Sequence, residues 1–191
     1  MSKDTHDDYS KTLLGFWLYL VSDFMLFGAL FATYIVLKNN IFGSISSHEL
    51  YDINNAFFQS ILFLLIAFYS GCGSLAAHCG KKRKSLVFFI LVFLLGAFFL
   101  WNLLCEFSSF IGRGYSWKES GFLSGYFSLN GIFALHVTAG LIWTLGIILP
   151  LFFRDYTEVS LRRVACLKMF WQFLNIIWIF IFSVVYLLGV V

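Results

Sequence analysis

Five stretches of almost unbroken apolar sequence, separated by short polar segments, set the pattern of the chain. They cover residues 12–37, 56–79, 85–105, 122–153 and 169–191. Each exceeds the roughly 20 residues that a helix rising about 1.5 Å per residue needs to cross about 30 Å of hydrocarbon. Between them lie a polar stretch at 39–55, a basic tetrad at 81–84, a segment opening on Glu106, and a mixed-charge segment at 154–168. The pattern predicts an all-α membrane protein, a five-transmembrane-helix bundle forming one membrane domain over residues 1–191. Little chain is left for a catalytic domain outside the bilayer.

Residues 1–11, with Asp4, Asp7 and Asp8, lack the basic start and small-residue cleavage site of a signal peptide, and the first run is too long for a signal core. That run is expected to stay as an anchor. The fourth run is longer than a bilayer requires, which implies tilt, kink or projection, and Pro150 predicts a disturbance at its inner end. Small residues four apart, Gly28/Ala32, Gly73/Ala77 and Gly121/Gly125, are expected to be packing faces where helices approach closely. Trp117 and Tyr115 suit the outer membrane interface.

Composition agrees: 60% of the chain is hydrophobic and 12% charged, against about 25% charged in a soluble domain. The net charge of +3 sits in short clusters beside apolar runs, which reads as membrane orientation and not as a nucleic-acid surface. Ten of the 13 Lys and Arg residues fall on one side of the predicted spans, and Lys38, Arg113 and Lys118 on the other. The positive-inside rule then puts the N-terminus in the cytoplasm and the C-terminus on the far, periplasmic side. Cys72, Cys79, Cys105 and Cys166 are scattered without CxxC spacing, so neither a disulfide nor a zinc site is expected.

Three side chains are candidates for chemistry. Asp23 lies 11 residues into the first run, about 16 Å deep, where a carboxylate costs on the order of 2.5–3.5 kcal/mol on insertion scales. It reads either as a proton-handling or lipid-organising group or as a neutral structural acid bonded to Ser22 or a neighbouring helix; no cation lies nearby in its own segment. His136 lies near the middle of the fourth run. A bis-histidine haem would need a second imidazole at its depth, but His78 is at the inner end of the second run and His6 and His48 are in polar segments. A hydrogen-bonded packing role fits His136 better, and a haem-binding electron carrier is disfavoured. Glu106 ends the third run at the outer surface and reads as a boundary charge within reach of Arg113. Gln59, Asn130, Gln172 and Asn175 are expected to hydrogen-bond between helices, at about 0.6–2 kcal/mol each. No Walker loop, G-x-S-x-G or HExxH motif occurs, so no active site is expected in this chain. A small multi-pass transporter or channel using Asp23 and His136 is the alternative reading.

Three blocks suggest a family: GFWLYLVSDFMLFGALFATYIVL at 15–37, SGFLSGYFSLNGIFALHVTAGLIW at 120–143, and FWQFLNIIWIFIFSVVYLLG at 170–189. They resemble subunit III of the haem-copper oxidases, in the five-helix form of the bacterial cytochrome o, ubiquinol-oxidising branch. The resemblance implies a helical accessory subunit of the bacterial inner membrane. It would carry no cofactor, pack on a catalytic subunit I that holds the haem and copper, and associate with other oxidase subunits and structural phospholipid. The whole complex would oxidise ubiquinol, reduce oxygen and move protons outward.

On the same basis Asp23 falls at the family's buried carboxyl linked to proton uptake, Glu106 in its acidic segment, and His136-Val137 at the second His of its HGLHV-like block. Four positions depart from the family pattern. Phe133 replaces that block's first His, Gln59 stands where quinol-oxidase relatives tend to have Glu, and Gln172 and Asn175 stand where the last helix usually reads WHFxDxxW. Gln and Asn keep hydrogen-bonding capacity there while losing charge.

Overall fold

The computed structural model describes residues 3–38, 53–114, 120–153 and 156–187, with side chains from Ser10 onward. Among them are only helices and short connections: α1 Lys3–Leu37, α2 Ile53–His78, α3 Lys82–Gly112, α4 Gly121–Phe153 and α5 Glu158–Ile181, continued by a π-helical turn Phe182–Leu187. All five are long and apolar enough to cross a membrane. Trp117 and Tyr115 lie outside the described residues.

Two helices outrun their apolar cores. α3 continues seven residues beyond 105 because Phe107 and Phe110 go on packing against Tyr126, with ring centroids 6.1 and 5.6 Å apart. Beyond its end at Gly112 the chain turns at Gly114, whose φ of +91° is a conformation that favours glycine. α5 begins 11 residues before 169, within the segment read from sequence as a polar connection. Thr157 caps it in a capping box with Ser160. Val164 and Leu167 are fully buried on one side, while Arg163 points outward. The charges thus decorate a helix. Pro150 stands in the last turn of α4, which ends at Phe153.

The α2–α3 connection is tight, turning at Gly80 with φ +69°. Ser85 Oγ donates to the Gly73 carbonyl at 2.8 Å and meets the Tyr156 hydroxyl at 2.6 Å, joining this hairpin to the α4–α5 connection. Burial pushes the Tyr156 phenol above its ordinary pKa, against the opposing effect of the Ser85 bond.

The core is aromatic. Phe63, Phe99, Phe133 and Trp178, one from each of α2 to α5, meet with centroids 4.8–5.5 Å apart along successive contacts. Such pairs contribute about 0.5–1.5 kcal/mol beyond area burial. The α1 helix lies against α4 and α5 through a narrow stripe of Leu20, Phe27 and Tyr34. Their seven-residue spacing keeps them aligned to about 20° per step.

Gly73 faces Phe88 and Phe89, and a methyl on Gly125 would lie 3.5 Å from the Tyr34 Cα, as expected of packing positions. The Gly28/Ala32 pair is different: open space surrounds Gly28 and both residues are exposed. Gly28 follows the buried Phe27 and so points about 100° away from the packing stripe. The tightest approaches are at Gly96 and Gly140, on either side of the buried Trp171. A methyl on Gly140 would lie 3.0 Å from the Phe170 ring and 3.1 Å from Trp171. Gly140→Ala is therefore expected to lower stability by about 1–3 kcal/mol through overpacking. Gly28→Ala should stay within about 0.5 kcal/mol of wild type. Thermal unfolding in mild detergent checks both.

Candidate functional site

Two polar centres interrupt the apolar bundle. The first joins α1 to α4. Asp23 lies on the α4-facing side of α1, with Tyr19 beside it one turn earlier. His136 Nε2 approaches Asp23 Oδ2 at 3.5 Å, the two side chains being only 17% and 14% exposed. Nδ1 of His136 lies 2.8 Å from the Ile132 carbonyl. A carbonyl can only accept, so Nδ1 carries a proton and Nε2 is the nitrogen free to gain or lose one. At this distance the contact is not an aligned hydrogen bond, and Oδ2 is buried with no hydrogen-bond partner among the described residues. Ser22 turns away and donates to the Leu18 carbonyl. Of the two neighbours foreseen for Asp23, the facing helix brings His136 close, while the hydrogen bond to Asp23 comes from Tyr19 on its own helix. The Phe27 ring packs 5.1 Å from the imidazole.

The second centre corrects the reading of Glu106 as a boundary charge near Arg113. Because α3 continues to Gly112, Glu106 faces the bundle, and Arg113 at the helix end is about 10 Å further along the axis. Gln59 Nε2 donates to Glu106 Oε2 at 3.2 Å. The Tyr126 and Tyr186 hydroxyls donate to Oε1 at 2.7 and 3.1 Å and lie 3.2 Å from each other. All three donors are buried. One carboxyl thus ties together α2, α3, α4 and the π-helical turn that carries Tyr186. Beside it, Asn130 Nδ2 bonds the Tyr126 carbonyl at 3.2 Å. The Gln59 Oε1 and Asn130 Oδ1 atoms are buried without a partner among the described residues.

The tyrosines of this centre were not singled out from sequence, where Tyr in an apolar run reads as packing or interface. The available signal was their placement inside spans, where a hydroxyl must find a partner. Of the other departures from the family pattern, Phe133 fills the aromatic core. Gln172 lines an open groove of about 400 Å³ between α1 and α5, with Trp17, Leu20, Phe24, Phe173 and Ile176. Asn175 holds a buried Oδ1 with no partner among the described residues, so the interhelical hydrogen bond expected of it is not made by that atom to any of them.

No family model matches the chain. Curated relatives do. The chain is 41% identical to the cytochrome bo(3) ubiquinol oxidase subunit 3 of Pseudomonas putida, over 97% of this chain and 89% of that protein. It belongs to the subunit 3 family of the haem-copper quinol oxidases. The subunit of the same name in Buchnera aphidicola subsp. Baizongia pistaciae is 39% identical over 96% of this chain and 94% of its own length. The quinol oxidase subunit 3 of Bacillus subtilis is 35% identical over 93% and 87%. The match to this oxidase family spans all five helices and both polar centres.

Glu106→Leu would leave one amide and two hydroxyls without their acceptor. Each stranded buried group costs about 1–3 kcal/mol, so this variant should be markedly less stable in thermal unfolding. Tyr186→Phe removes one donor of three and should lose no more than about 1.5 kcal/mol.

Proposed function

We propose that this chain is the accessory subunit III of a proton-pumping cytochrome o ubiquinol oxidase in a bacterial inner membrane. It packs on the haem-copper catalytic subunit I, beside the other subunits, and supports assembly, lipid binding and proton uptake. The observation that carries this reading is the match along nearly the whole chain to relatives named as that subunit. The same match favours an accessory role over a transporter or channel built on Asp23 and His136. Haem and copper belong to the catalytic subunit and none to this chain.

The Asp23–His136 pair is the local contribution to proton uptake. A carboxyl and an imidazole facing each other at the α1–α4 seam are groups that can accept a proton and pass it to a more basic neighbour. Glu106 has three donors and no imidazole among its partners. Its role is to hold the outer ends of four elements in register for docking. The N-terminus is cytoplasmic, as the distribution of basic residues indicates.

The tagged chain, purified in mild detergent, should bring down large haem-bearing partners and show no Soret absorbance once separated from them. Haem at one per isolated chain would overturn the assignment. In Asp23→Asn, the amide can still donate to His136 Nε2, so assembly and haem content should hold while turnover per haem falls most at alkaline pH. Asp23→Leu strands that nitrogen and should weaken association as well. Unchanged turnover of the Asn variant from neutral to alkaline pH would remove Asp23 from proton uptake. For orientation, a cysteine introduced at Lys82 should be shielded from an impermeant thiol reagent in intact cells, and labelling from outside would reverse the topology.

A further inference from the structure

The Glu106 centre lies at the end of a line of oxidisable side chains. Trp178 of α5 packs against Tyr186 of the π-helical turn, with ring centroids 6.2 Å apart. Phe63 of α2 bridges Trp178 to Trp171, at 6.2 and 6.1 Å. Trp171, Trp178, Tyr186 and Tyr126 are each at most 1% exposed, out of reach of water and lipid. Their polar partners differ in kind. The Trp171 and Trp178 indoles donate to the Thr144 and Ser60 hydroxyls, at 3.2 and 3.0 Å, and an alcohol is a poor proton acceptor. The Tyr126 and Tyr186 hydroxyls donate instead to a carboxyl oxygen, Glu106 Oε1, at 2.7 and 3.1 Å. Tyr19 also hydrogen-bonds a carboxyl, that of Asp23. It is exposed, however, and its ring packs on Phe16 and on no tryptophan among the described residues.

We propose that Tyr126 and Tyr186 form a one-electron redox site, where oxidising equivalents that enter the bundle through its core tryptophans come to rest. An oxidant removes one electron from Trp178 and leaves an indole cation radical, because Ser60 does not take the indole proton. That radical draws one electron from the Tyr186 ring and returns to neutral indole. An intact phenol keeps its proton near neutrality, but loss of an electron makes it a strong acid. The Tyr186 O–H bond then breaks toward Glu106 Oε1, which leaves a neutral tyrosyl radical and a carboxylic acid. The two hydroxyls are 3.2 Å apart, so Tyr126 can pass its hydrogen atom to the radical and share it. In sum the oxidant gains one electron, a phenolic O–H bond is lost and a carboxyl O–H bond is formed. Beside an oxygen-reducing partner the oxidant belongs to the class of one-electron oxidants formed from partly reduced oxygen. That setting rests on the reading under Proposed function, whereas the redox site lies within this chain alone.

The test is electron paramagnetic resonance of the full chain, purified in detergent and separated from haem-bearing partners. Frozen samples with hexaamminecobalt(III) as an irreversible electron acceptor are irradiated with light absorbed by tryptophan and not by tyrosine, then annealed. The wild type should convert its tryptophan radical signal into a tyrosyl signal. Tyr126→Phe/Tyr186→Phe should lose the tyrosyl signal and retain the tryptophan one. Glu106→Gln keeps an amide oxygen that accepts from both phenols but cannot take their proton. It should therefore lose the tyrosyl signal while thermal unfolding shows the bundle kept, a split that a purely structural centre would not give. Tyr19→Phe should match the wild type. A wild type that forms no tyrosyl signal, an undiminished signal in Glu106→Gln or in the double Phe variant, or its loss in Tyr19→Phe would each overturn the site. If the double variant does not accumulate, Tyr186→Phe alone gives the same comparison, since it removes the tyrosine next to Trp178. The two readings fail separately: the radical is read on the isolated chain, and the oxidase assignment is read from the haem-bearing partners it brings down.

Discussion

A polar group inside a bilayer has no water to turn to, and the structure depends on this constraint more than on any single contact. It forces the backbone into helices, where every interior N–H and C=O is bonded within the segment. It acts on side chains as well. Thr33, Asn102, Thr138 and Ser183 each bond the carbonyl four residues back on their own helix. Ser60 and Thr144 do the same and then also accept from Trp178 and Trp171, so the largest core side chains are oriented by small hydroxyls.

The same constraint explains where the ionisable groups went. Asp23 and Glu106 are costly in hydrocarbon, and each faces polar groups: Glu106 is bonded from other elements, while Asp23 has Tyr19 on its own helix and His136 across the seam. Asp23 meets one imidazole, whose own second nitrogen is engaged by a carbonyl. Glu106 meets an amide and two phenols. The chemical difference matters. An imidazole can exchange a proton with a carboxyl near neutrality, while amides and phenols donate hydrogen bonds without readily giving up their protons there. One centre sets a carboxyl against an imidazole, and the other fastens helices through neutral donors.

Packing supplies what lipid cannot, since apolar helices gain little by leaving one apolar surrounding for another. Close fit takes over that role, with Trp171 wedged between Gly96 and Gly140 and Phe63, Phe99, Phe133 and Trp178 in mutual contact. The α1 helix is held by a thinner seam, and two grooves flanking it follow from attachment through a single stripe.

The sequence alone determined the five spanning helices and the membrane class, because the length of an apolar run and the thickness of a bilayer are one-dimensional quantities. It also singled out Asp23, Glu106 and His136, since a titratable group in an apolar run stands out by its cost. The family blocks carried the oxidase resemblance in the same linear way. Only the tertiary structure decided which of these groups meet. Asp23 and His136 are 113 positions apart, and no periodicity within either helix says which faces will oppose. Tyr126 and Tyr186 became part of the Glu106 centre only when α4 and the π-helical turn were brought beside α3. The exposure of Gly28 and the burial of Gly140 were decided in the same way. Small residues permit close approach wherever they occur, but the helix that arrives to use them is chosen by the packing of the whole bundle.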